Sequence, residues 1–327
     1  MNTRACTTKK NYFIIKLFAV ASVGLIPGCT TQQPRPADYC APFPPDILGG
    51  LDEGLRKDAA KYGPYAVLSN NVYDPNDHLD IWVNPNEWEP VCDADHKIRD
   101  SYGNPSCVAD GSRNGFQAKT YLRRAGDNSH QPIELVFVFR GTDQKRDWFL
   151  GNFYFSEAQY IEADDYVRPK IAKYLDMYPQ INVTATGHSL GGGLAEHVAF
   201  CFDGVTAVTF NPSSISHKNS CDRLTAISKD ERTKIKGEIR GQKIHRISQT
   251  GEVLESTRKV YDSAIAYNFK APGSAHSITP LAMNLTQLAG CSMQRGLTDS
   301  LAPGLPSAEK VLTETCTRWE AKSPCVM

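Results

Sequence analysis

Basic surplus charge, paired zinc-ligand motifs and long apolar runs are all scarce in this sequence. Lysine and arginine together number 36, as do aspartate and glutamate, so the composition indicates no basic surface for nucleic acid. No Cys-x-x-Cys pair occurs, and we expect no metal site. The apolar stretch over residues 13–26 is interrupted by Lys16 and is too short for a stable membrane span. No internal repeat is visible, and the ordinary composition is that of a globular chain large enough for one α/β core.

The first residues have the pattern of an export signal. A basic start precedes the apolar stretch, which small residues close just before Cys29. Because a cysteine directly follows Gly28, the segment resembles a bacterial lipoprotein signal, in which Cys29 is lipidated and becomes the new N-terminus. We expect a signal peptide over residues 1–28, a tether over 29–48 and a single domain over 49–327. The second residue of the mature chain would be Thr30 and not Asp, and by the same resemblance this favours the outer membrane of the cell envelope, on its periplasmic or surface face. Plain secretion is the alternative.

The cysteines also favour an exported protein. Ten are present, and eight remain once Cys6 and Cys29 are set aside. An even set in an exported chain predicts four disulfides, although the sequence alone does not determine their pairing. Short separations favour three local pairs and leave a fourth: Cys92–Cys107, Cys201–Cys221, Cys316–Cys325 and Cys40–Cys291.

A glycine-flanked serine lies between a β-pattern and a helical pattern. The run from Ile181 to Ala195 reads as a short strand, a sharp turn and a helix, and the turn is Gly187-His188-Ser189-Leu190-Gly191. A serine in Gly-x-Ser-x-Gly is held on a strained strand-to-helix elbow with its hydroxyl exposed. The N–H groups of the following helix face any negative charge that develops there. A glycine-rich connection of another α/β fold would explain the glycines but not Ser189.

Strand and helix patterns alternate along the chain. Pro132–Phe139 is the most apolar strand, and its β-branched and aromatic run is typical of a central strand buried on both faces. The pattern predicts an α/β fold with a mostly parallel sheet flanked by helices. We expect other strands at 116–122, 205–210 and 243–248, and helices at 51–62, 157–177 and 278–288.

Three further segments carry specific expectations. Gly63-Pro64 should break or kink the first helix. The aromatic stretch Trp148–Gln159 is interpreted either as a flap over the site or as a core helix or strand. The polar, basic segment Ser216–Gly241 is interpreted as a solvated surface excursion rather than a membrane-facing patch.

A nucleophilic serine requires a base and an orienting carboxylate. Of the histidines after Ser189, His276 lies in a loop of small residues beyond the last strand, from which an imidazole can reach the serine. The alternatives lie within a helix, an excursion and a strand: His197, His217 and His245. Glu252 follows a strand and is the favoured acid, with Asp262 and Asp222 as rivals.

Several runs together resemble the class 3 (fungal-type) lipase family. They are "VFVFRGT" from Val136, "VTATGHSLGGGLA" from Val183, "AVTFNPSS" and "HRISQTGEVLE". The resemblance covers roughly residues 50–290 and implies an α/β-hydrolase fold in which Ser189, His276 and Glu252 form the triad. It also implies an oxyanion hole from the N–H groups of Thr142 and Leu190, and a lid after Thr142. Glu252 stands where the family usually has Asp, and Asn211 where it usually has Gly.

These features together predict a serine carboxylic-ester hydrolase that needs no cofactor. The substrate would be a lipid or another ester, as for a lipase or phospholipase A1, and lipidated Cys29 would hold the protein at a membrane. An esterase or thioesterase on soluble substrates is an alternative. So is a weakly active or inactive hydrolase-fold lipoprotein that binds a partner. The sequence identifies no protein partner.

Overall fold

The computed structural model describes residues 53–73, 79–92, 98–99, 103, 105–111, 115–125, 131–142, 152–213, 221, 230–231, 234, 237, 241–255, 264–267, 276–294 and 308–318. All of them lie in one compact unit, Gln33–Met327. The predicted signal peptide and tether, including Cys29, lie outside the described residues. The domain boundaries predicted from the sequence therefore stay predictions.

Eight strands form one mixed sheet. In chain order the strands of the fold are β1 Trp88–Pro90, β2 Ile98–Arg99, β3 Pro105–Ser106, β4 Ala109–Gly111, β5 Phe116–Arg124, β6 Pro132–Phe139, β7 Asn182–His188, β8 Val205–Phe210, β9 Ile244–Gln249 and β10 Ala264–Tyr267. The sheet order is β1-β5-β6-β7-β8-β9-β10, with β4 also paired to β5, and β2 pairs β3 separately. β5 is antiparallel to its neighbours, whereas every ladder from β6 to β10 is parallel. The predicted mostly parallel sheet is confirmed.

Helices cover both faces of this sheet. They are α1 Glu53–Asn71, α2 Asn152–Met177, α3 Leu190–Cys201, α4 Ile278–Gln294 and α5 Ala308–Arg318. One apolar core lies between the sheet and α1, α4 and α5, and a second lies between the sheet and α2 and α3. This three-layer arrangement is that of an α/β-hydrolase domain, as the sequence predicted. Of the described helices, none combines the length and apolar character that a membrane span requires.

The sequence of strand β6 is apolar from Leu135 to Phe139 because both faces of this part of the strand are covered. Val136 and Val138 face the first core, and Leu135, Phe137 and Phe139 face the second. Successive side chains of a strand point to opposite faces. When both faces are covered, neither set of side chains faces solvent, and the alternation of apolar and polar residues is lost. The strand is fully buried from Leu135 onward, and its carboxyl end lies beside those of β7 and β8.

Helix α1 continues through Gly63-Pro64, so the predicted break is wrong. Pro64 lies inside the helix, which ends at the Asn70-Asn71 turn signal. A proline in a helix interior costs about 3 kcal/mol or more because it removes one backbone hydrogen bond and crowds the preceding turn. Beyond it, Val67 and Leu68 are buried, and burying each such side chain contributes roughly 1.5–3 kcal/mol. Burial of the second half of α1 thus offsets the energetic cost of Pro64 within the helix.

Other boundaries shift less. Helix α2 begins at Asn152, earlier than predicted, so the aromatic stretch Trp148–Gln159 is helical from Asn152 onward. Residues 143–151, where the flap was expected to begin, lie outside the described residues, as does most of Ser216–Gly241. β9 is Ile244–Gln249, shifted by one residue from the prediction but of the same length, and α4 extends to Gln294, six residues beyond its predicted end.

Two predicted disulfides are confirmed. Cys92 is bonded to Cys107 and Cys201 to Cys221. Cys316 is also disulfide-bonded. The expected pairs Cys316–Cys325 and Cys40–Cys291 involve positions outside the described residues and stay predictions.

Candidate active site

Four parallel strands end at one edge of the sheet, and three of them are followed by predicted site residues. The parallel registers place Phe139 beside Gly187, and His188 beside Phe210. The residues that follow each strand therefore meet at the carboxyl edge, which is where open α/β sheets bind ligands. Thr142 follows β6, Ser189 follows β7, Asn211 follows β8 and Glu252 follows β9.

Ser189 occupies a strained backbone position. Its φ is 56° and its ψ is −123°, and only one other non-glycine residue in the described chain has positive φ. The backbone around it is bonded on both sides: Ser189 N–H donates to Phe210 O (3.1 Å), and Ser189 O accepts from Ser213 N–H (2.9 Å). Strain of this kind persists only where the surroundings enforce it, and it clusters at functional sites. The predicted nucleophile elbow is therefore present in the backbone.

The flanking glycines are required by close approach of two backbones. A Cβ at Gly187 would lie 2.8 Å from Phe139 O and would overlap the Gly191 carbonyl group. A Cβ at Gly191 would overlap Phe139 O and lie 2.9 Å from Arg140 C. No real Cβ contacts are this short, so only glycine fits where α3 leaves β7.

The three residues predicted from the sequence form one hydrogen-bonded chain. His276 Nε2 lies 3.0 Å from Ser189 Oγ. His276 Nδ1 lies 2.6 Å from Glu252 Oε2. Glu252 is 3% exposed, and its Oε2 also accepts from the N–H of Leu254 at 3.0 Å. Since a carboxylate accepts from Nδ1–H, Nε2 is left unprotonated and positioned to accept the Ser189 hydroxyl proton.

The described rivals of His276 have other surroundings. His197 is fully buried in α3 beside Asp164, with 3.1 Å between Nε2 and Oδ1. His245 lies in β9 with its ring 5.3 Å from that of Tyr62. Burial, followed by the charge of Lys61, lowers the pKa of His245 below its ordinary value. His217 and the rival acids Asp222 and Asp262 lie outside the described residues.

Sequence reasoning missed a second hydrogen-bonded chain behind the site. His188 Nε2 lies 2.6 Å from the backbone O of His276, and because a carbonyl only accepts, Nε2 carries the proton. His188 Nδ1 then accepts from the hydroxyl of Tyr73 (3.0 Å), and Tyr73 Oη accepts from Gly141 N–H (3.1 Å). His188 was identified only as part of the elbow. Tyr73 lies beside an Asn- and Asp-rich turn and carries no sequence signal.

This second hydrogen-bonded chain links His276 to the end of β6, just before Thr142. A Cβ on Gly141 would lie 2.6 Å from His188 O and 3.3 Å from Ser189 Cβ, so Gly141 packs directly on the elbow. Thr142 is consequently held next to the nucleophile elbow. Leu190 is the first residue of α3, where N–H groups have no acceptor within the helix. The two predicted oxyanion donors thus flank Ser189 on different elements.

Asn211 has a role that glycine would not fulfil. It is fully buried with φ 42°, and its N–H donates to Ile247 O (2.9 Å). Its Oδ1 accepts from Gln249 N–H (2.9 Å), which ties the end of β8 to the end of β9. Asparagine tolerates positive φ better than most residues. The side chain therefore fixes the strand end from which Glu252 projects.

A buried ion pair braces the helix behind the serine. Arg246 of β9 donates through Nε and Nη2 to the two oxygens of Glu196 on α3, at 2.7 and 2.5 Å. Thr209 Oγ1 of β8 donates to the same carboxylate at 3.3 Å. Paired bonds of this kind between a guanidinium and a carboxylate fix geometry as well as charge. They hold α3, β8 and β9 together directly beneath the site.

A family model described as "Phospholipase-like: Tle-like phospholipase domain" matches residues 64–297. A search of the curated proteins finds no match.

Solved fungal lipases are among the similar structures. The native Rhizomucor miehei lipase propeptide complex is 16% identical (TM-score 0.36), and the match covers 56% of this chain and 66% of that one, just under two thirds. Lipase II from Rhizopus niveus is 13% identical (TM-score 0.41; 62% and 76%). Lip2 lipase from Yarrowia lipolytica is 16% identical (TM-score 0.39; 64% and 78%). Similarity at this level carries no information on activity or substrate.

The family match covers both central motifs that the sequence analysis compared with the class 3 lipases, and it confirms a fungal-type lipase family. The chain belongs to the phospholipase-like family, and residues 64–297 form its Tle-like phospholipase domain, a lipolytic hydrolase domain.

Proposed function

We propose that the protein is a serine carboxylic-ester hydrolase that cleaves acyl lipids through Ser189, His276 and Glu252. The observation that carries the proposal is the unbroken chain from Ser189 Oγ to His276 Nε2 (3.0 Å) and from His276 Nδ1 to Glu252 Oε2 (2.6 Å). These distances lie within the range in which a base takes a proton from a nucleophile and a carboxylate orients the base. The elbow strain at Ser189 supports the same assignment.

In the first half-reaction, Ser189 Oγ attacks the acyl carbonyl carbon while His276 Nε2 takes its proton. The resulting imidazolium is stabilised by the charge of Glu252. His276 then returns the proton to the leaving alcohol, and an acyl-enzyme remains. In the second half-reaction, water donates a proton to Nε2 and attacks the acyl carbon. Proton return to Ser189 releases the fatty acid.

The N–H groups of Thr142 and Leu190 are proposed to bind the oxyanion of each tetrahedral intermediate. Leu190 N–H belongs to the exposed positive end of the α3 dipole, which favours a developing negative charge. Gly141 N–H bonds Tyr73 instead, which assigns it to fixing the loop rather than binding substrate. Removing one donor of an oxyanion hole typically lowers the rate by about 10²–10³-fold.

The proposed substrate class is a phospholipid or other long-chain acyl ester. The family description names a phospholipase domain. Beside the acid, Val253 is 53% exposed, one of few large apolar side chains that are exposed among the described residues. A single exposed valine is common on protein surfaces, so the family description alone supports the proposed substrate class.

Anchoring through lipidated Cys29 in the cell envelope is proposed with the enzyme, on the pattern of residues 1–29. The test is metabolic labelling with a radioactive fatty acid in a bacterial host, followed by mass determination of the mature chain. The wild type should carry the label and begin at position 29, whereas Cys29→Ala should not. An unlabelled wild-type chain released into the medium would support plain secretion.

The reaction is tested with residues 30–327 purified from an oxidising compartment. Substrates are p-nitrophenyl esters of short and long chains, and a phospholipid labelled separately at sn-1 and sn-2. We expect long-chain and phospholipid turnover that Ser189→Ala lowers by several orders of magnitude. Ser213→Ala is the matched control, since its hydroxyl makes no hydrogen bond within the described part of the chain.

A serine-directed phosphonate separates the remaining outcomes. Labelling of Ser189 with turnover of short soluble esters or thioesters alone would replace the lipid substrate with a soluble one. Folded protein with its disulfides formed that neither labels nor turns over would refute the enzyme proposal. The partner-binding alternative would then be favoured.

A further inference from the structure

The turn Asn70–Tyr73, at the end of α1, is bonded to the first turn of α4. Asn70 is buried, and its Oδ1 accepts from the hydroxyl of Thr279 at 2.8 Å. Its Nδ2 donates to Leu79 O at 2.6 Å, which fixes the orientation of the amide group. Thr279 is also buried and lies three residues after His276. The turn therefore holds the chain directly after the base.

The other end of the same turn is linked to the base itself. Tyr73 N–H donates to Asn70 O at 3.2 Å, and the Tyr73 side chain is buried. Its hydroxyl donates to His188 Nδ1, and His188 Nε2–H donates to the backbone O of His276. The ring centres of the two histidines lie 4.8 Å apart. The segment that begins with His276 is thus bonded to the Asn70–Tyr73 turn at both ends.

The donors along the Tyr73 route all point in one direction. Gly141 N–H donates to Tyr73 Oη, and the Tyr73 hydroxyl donates to His188. His188 in turn donates to His276 O. In such a series each bond polarises the next, so that buried bonds strengthen one another. Because Gly141 precedes Thr142, the proposed donor to the oxyanion, a single hydroxyl links the position of the base to that of the oxyanion loop.

We propose that Asn70 and Tyr73 are positioning residues for hydrolysis, which hold the His276 imidazole and the Thr142 N–H in place for the transition state. This inference rests on the proposed serine hydrolase function. Each residue acts through its hydrogen-bonded neighbours rather than on the substrate. A displacement of about 1 Å in a catalytic group costs on the order of 10²-fold in rate. The loss falls on kcat, because the interactions that weaken are those made in the transition state.

The Tyr73 bonds are tested with a matched pair of tyrosine variants. Tyr73→Phe keeps the ring but removes the hydroxyl that bonds His188 and Gly141. Tyr65→Phe is the control, because it removes a buried hydroxyl of α1 that donates to Glu134, near the start of β6, at 2.8 Å. Both variants should lower the midpoint of urea denaturation, since each takes a hydrogen bond away from buried groups. Only Tyr73→Phe should slow the reaction.

The Asn70 bond is tested with a matched pair of threonines on α4. Thr279→Val removes the hydroxyl that donates to Asn70. Thr286→Val is the control. Thr286 is also buried, lies about two turns further along α4 and donates to Ala282 O within the helix. Valine has nearly the shape of threonine, so each change removes a hydroxyl and little else.

Each protein is assayed with a long-chain p-nitrophenyl ester, and kcat is expressed per site labelled by a serine-directed phosphonate, so that unfolded protein is not counted. Inhibition by an alkylboronic acid gives a second readout, because its tetrahedral adduct with the serine resembles the transition state. We expect Tyr73→Phe and Thr279→Val to lower kcat by about 10–100-fold, to raise the boronate Ki by a similar factor and to leave KM within about threefold. Both controls should keep kcat and Ki within about threefold of wild type, even where their urea midpoints fall.

The wild type shows first whether Ser189 is reactive. A wild-type chain that the phosphonate does not label would refute the proposed function, and the positioning role with it. A labelled, active wild type whose kcat and Ki are unchanged in Tyr73→Phe and Thr279→Val would overturn the positioning role alone. So would an equal fall in kcat in the two controls, because loss of stability would then account for it.

The two routes are judged separately. An effect in only one of Tyr73→Phe and Thr279→Val would assign the positioning role to that route and overturn it for the other. If Tyr73→Phe does not fold, Thr279→Val decides the outcome by the same criteria.

Discussion

Replacing Glu252 with glutamine tests the proposed mechanism with almost no change in shape. The carboxylate is buried, and its Oε2 serves both His276 Nδ1 at 2.6 Å and Leu254 N–H at 3.0 Å. An amide oxygen in the same place still accepts both bonds, but it carries no charge to stabilise the imidazolium. A matching change of carboxylate to amide in a Ser-His-Asp triad lowers kcat by about 10⁴-fold. At 1.36 kcal/mol per decade, this loss is about 5.4 kcal/mol of transition-state stabilisation.

The variant Glu252→Asp distinguishes the effect of the carboxylate's charge from the effect of its position. Glu252→Asp keeps the charge but withdraws the carboxylate by about 1.5 Å, one carbon–carbon bond. A displacement of this size typically costs on the order of 10²-fold in rate. We therefore expect kcat to decrease from wild type to Glu252→Asp to Glu252→Gln, with little change in KM.

The assay is steady-state hydrolysis of a long-chain p-nitrophenyl ester, with urea denaturation to verify folding. Glu255→Gln is the matched control. This neighbouring carboxylate accepts from Gly251 N–H at 2.7 Å in an exposed bond, and the variant should stay within a few-fold of wild type. Glu252→Gln activity within tenfold of wild type would refute the assignment. Asp262→Asn activity below that of Glu252→Gln would assign the acid to Asp262.

Gly191→Ala should lose both stability and phosphonate labelling, because the added Cβ would overlap Phe139 O. Overpacking of this kind costs about 1–3 kcal/mol of stability. An unchanged midpoint of urea denaturation would contradict the close approach of the two backbones. Arg246→Met should lower the free energy of unfolding by about 3–5 kcal/mol, because it leaves Glu196 charged and buried without a partner. The double variant Arg246→Met/Glu196→Leu should recover much of that loss. If the two single effects simply add in urea denaturation, the ion pair is refuted. Because the folded-state pKa of His245 is lowered, the unfolded chain binds its proton first, and stability falls as pH drops below about 6.5 towards the folded-state pKa. His245→Gln should reduce the loss in urea midpoint between pH 7.5 and 5.5, and an identical loss in both proteins would exclude His245 as its source.

The parts of the fold that the sequence predicted are those where local pattern and tertiary packing agree. Pro132–Phe139 and Val205–Phe210 are strands within the residues expected because both are flanked by turn residues and buried on both faces. Ser189 was identifiable because the elbow requires glycines on either side of it. Requirements of this kind restrict the residue type at fixed positions, so they can be recognised in the sequence.

The sequence predictions were wrong or incomplete where contacts between distant parts of the chain determine the structure. Pro64 is a strong local helix breaker, yet α1 continues because its second half is buried against the sheet and α4. Tyr73 joins the site through contacts with His188 and Gly141, over separations of 115 and 68 residues. No periodicity reports a single hydroxyl placed at such a distance.

The hydrogen bonds that join Ser189, His276 and Glu252 connect parts of the sequence that are far apart. Ser189 and His276 are separated by 87 residues, and Ser189 directly follows β7, a parallel strand that cannot pair with its neighbours without a crossover. Loop closure over such distances makes parallel sheets slow to fold. No partly folded chain lacking β9 or the His276 loop holds an assembled site. Recovery of activity should therefore be the last phase of refolding, and a nascent chain should gain hydrolytic activity only once the fold is complete.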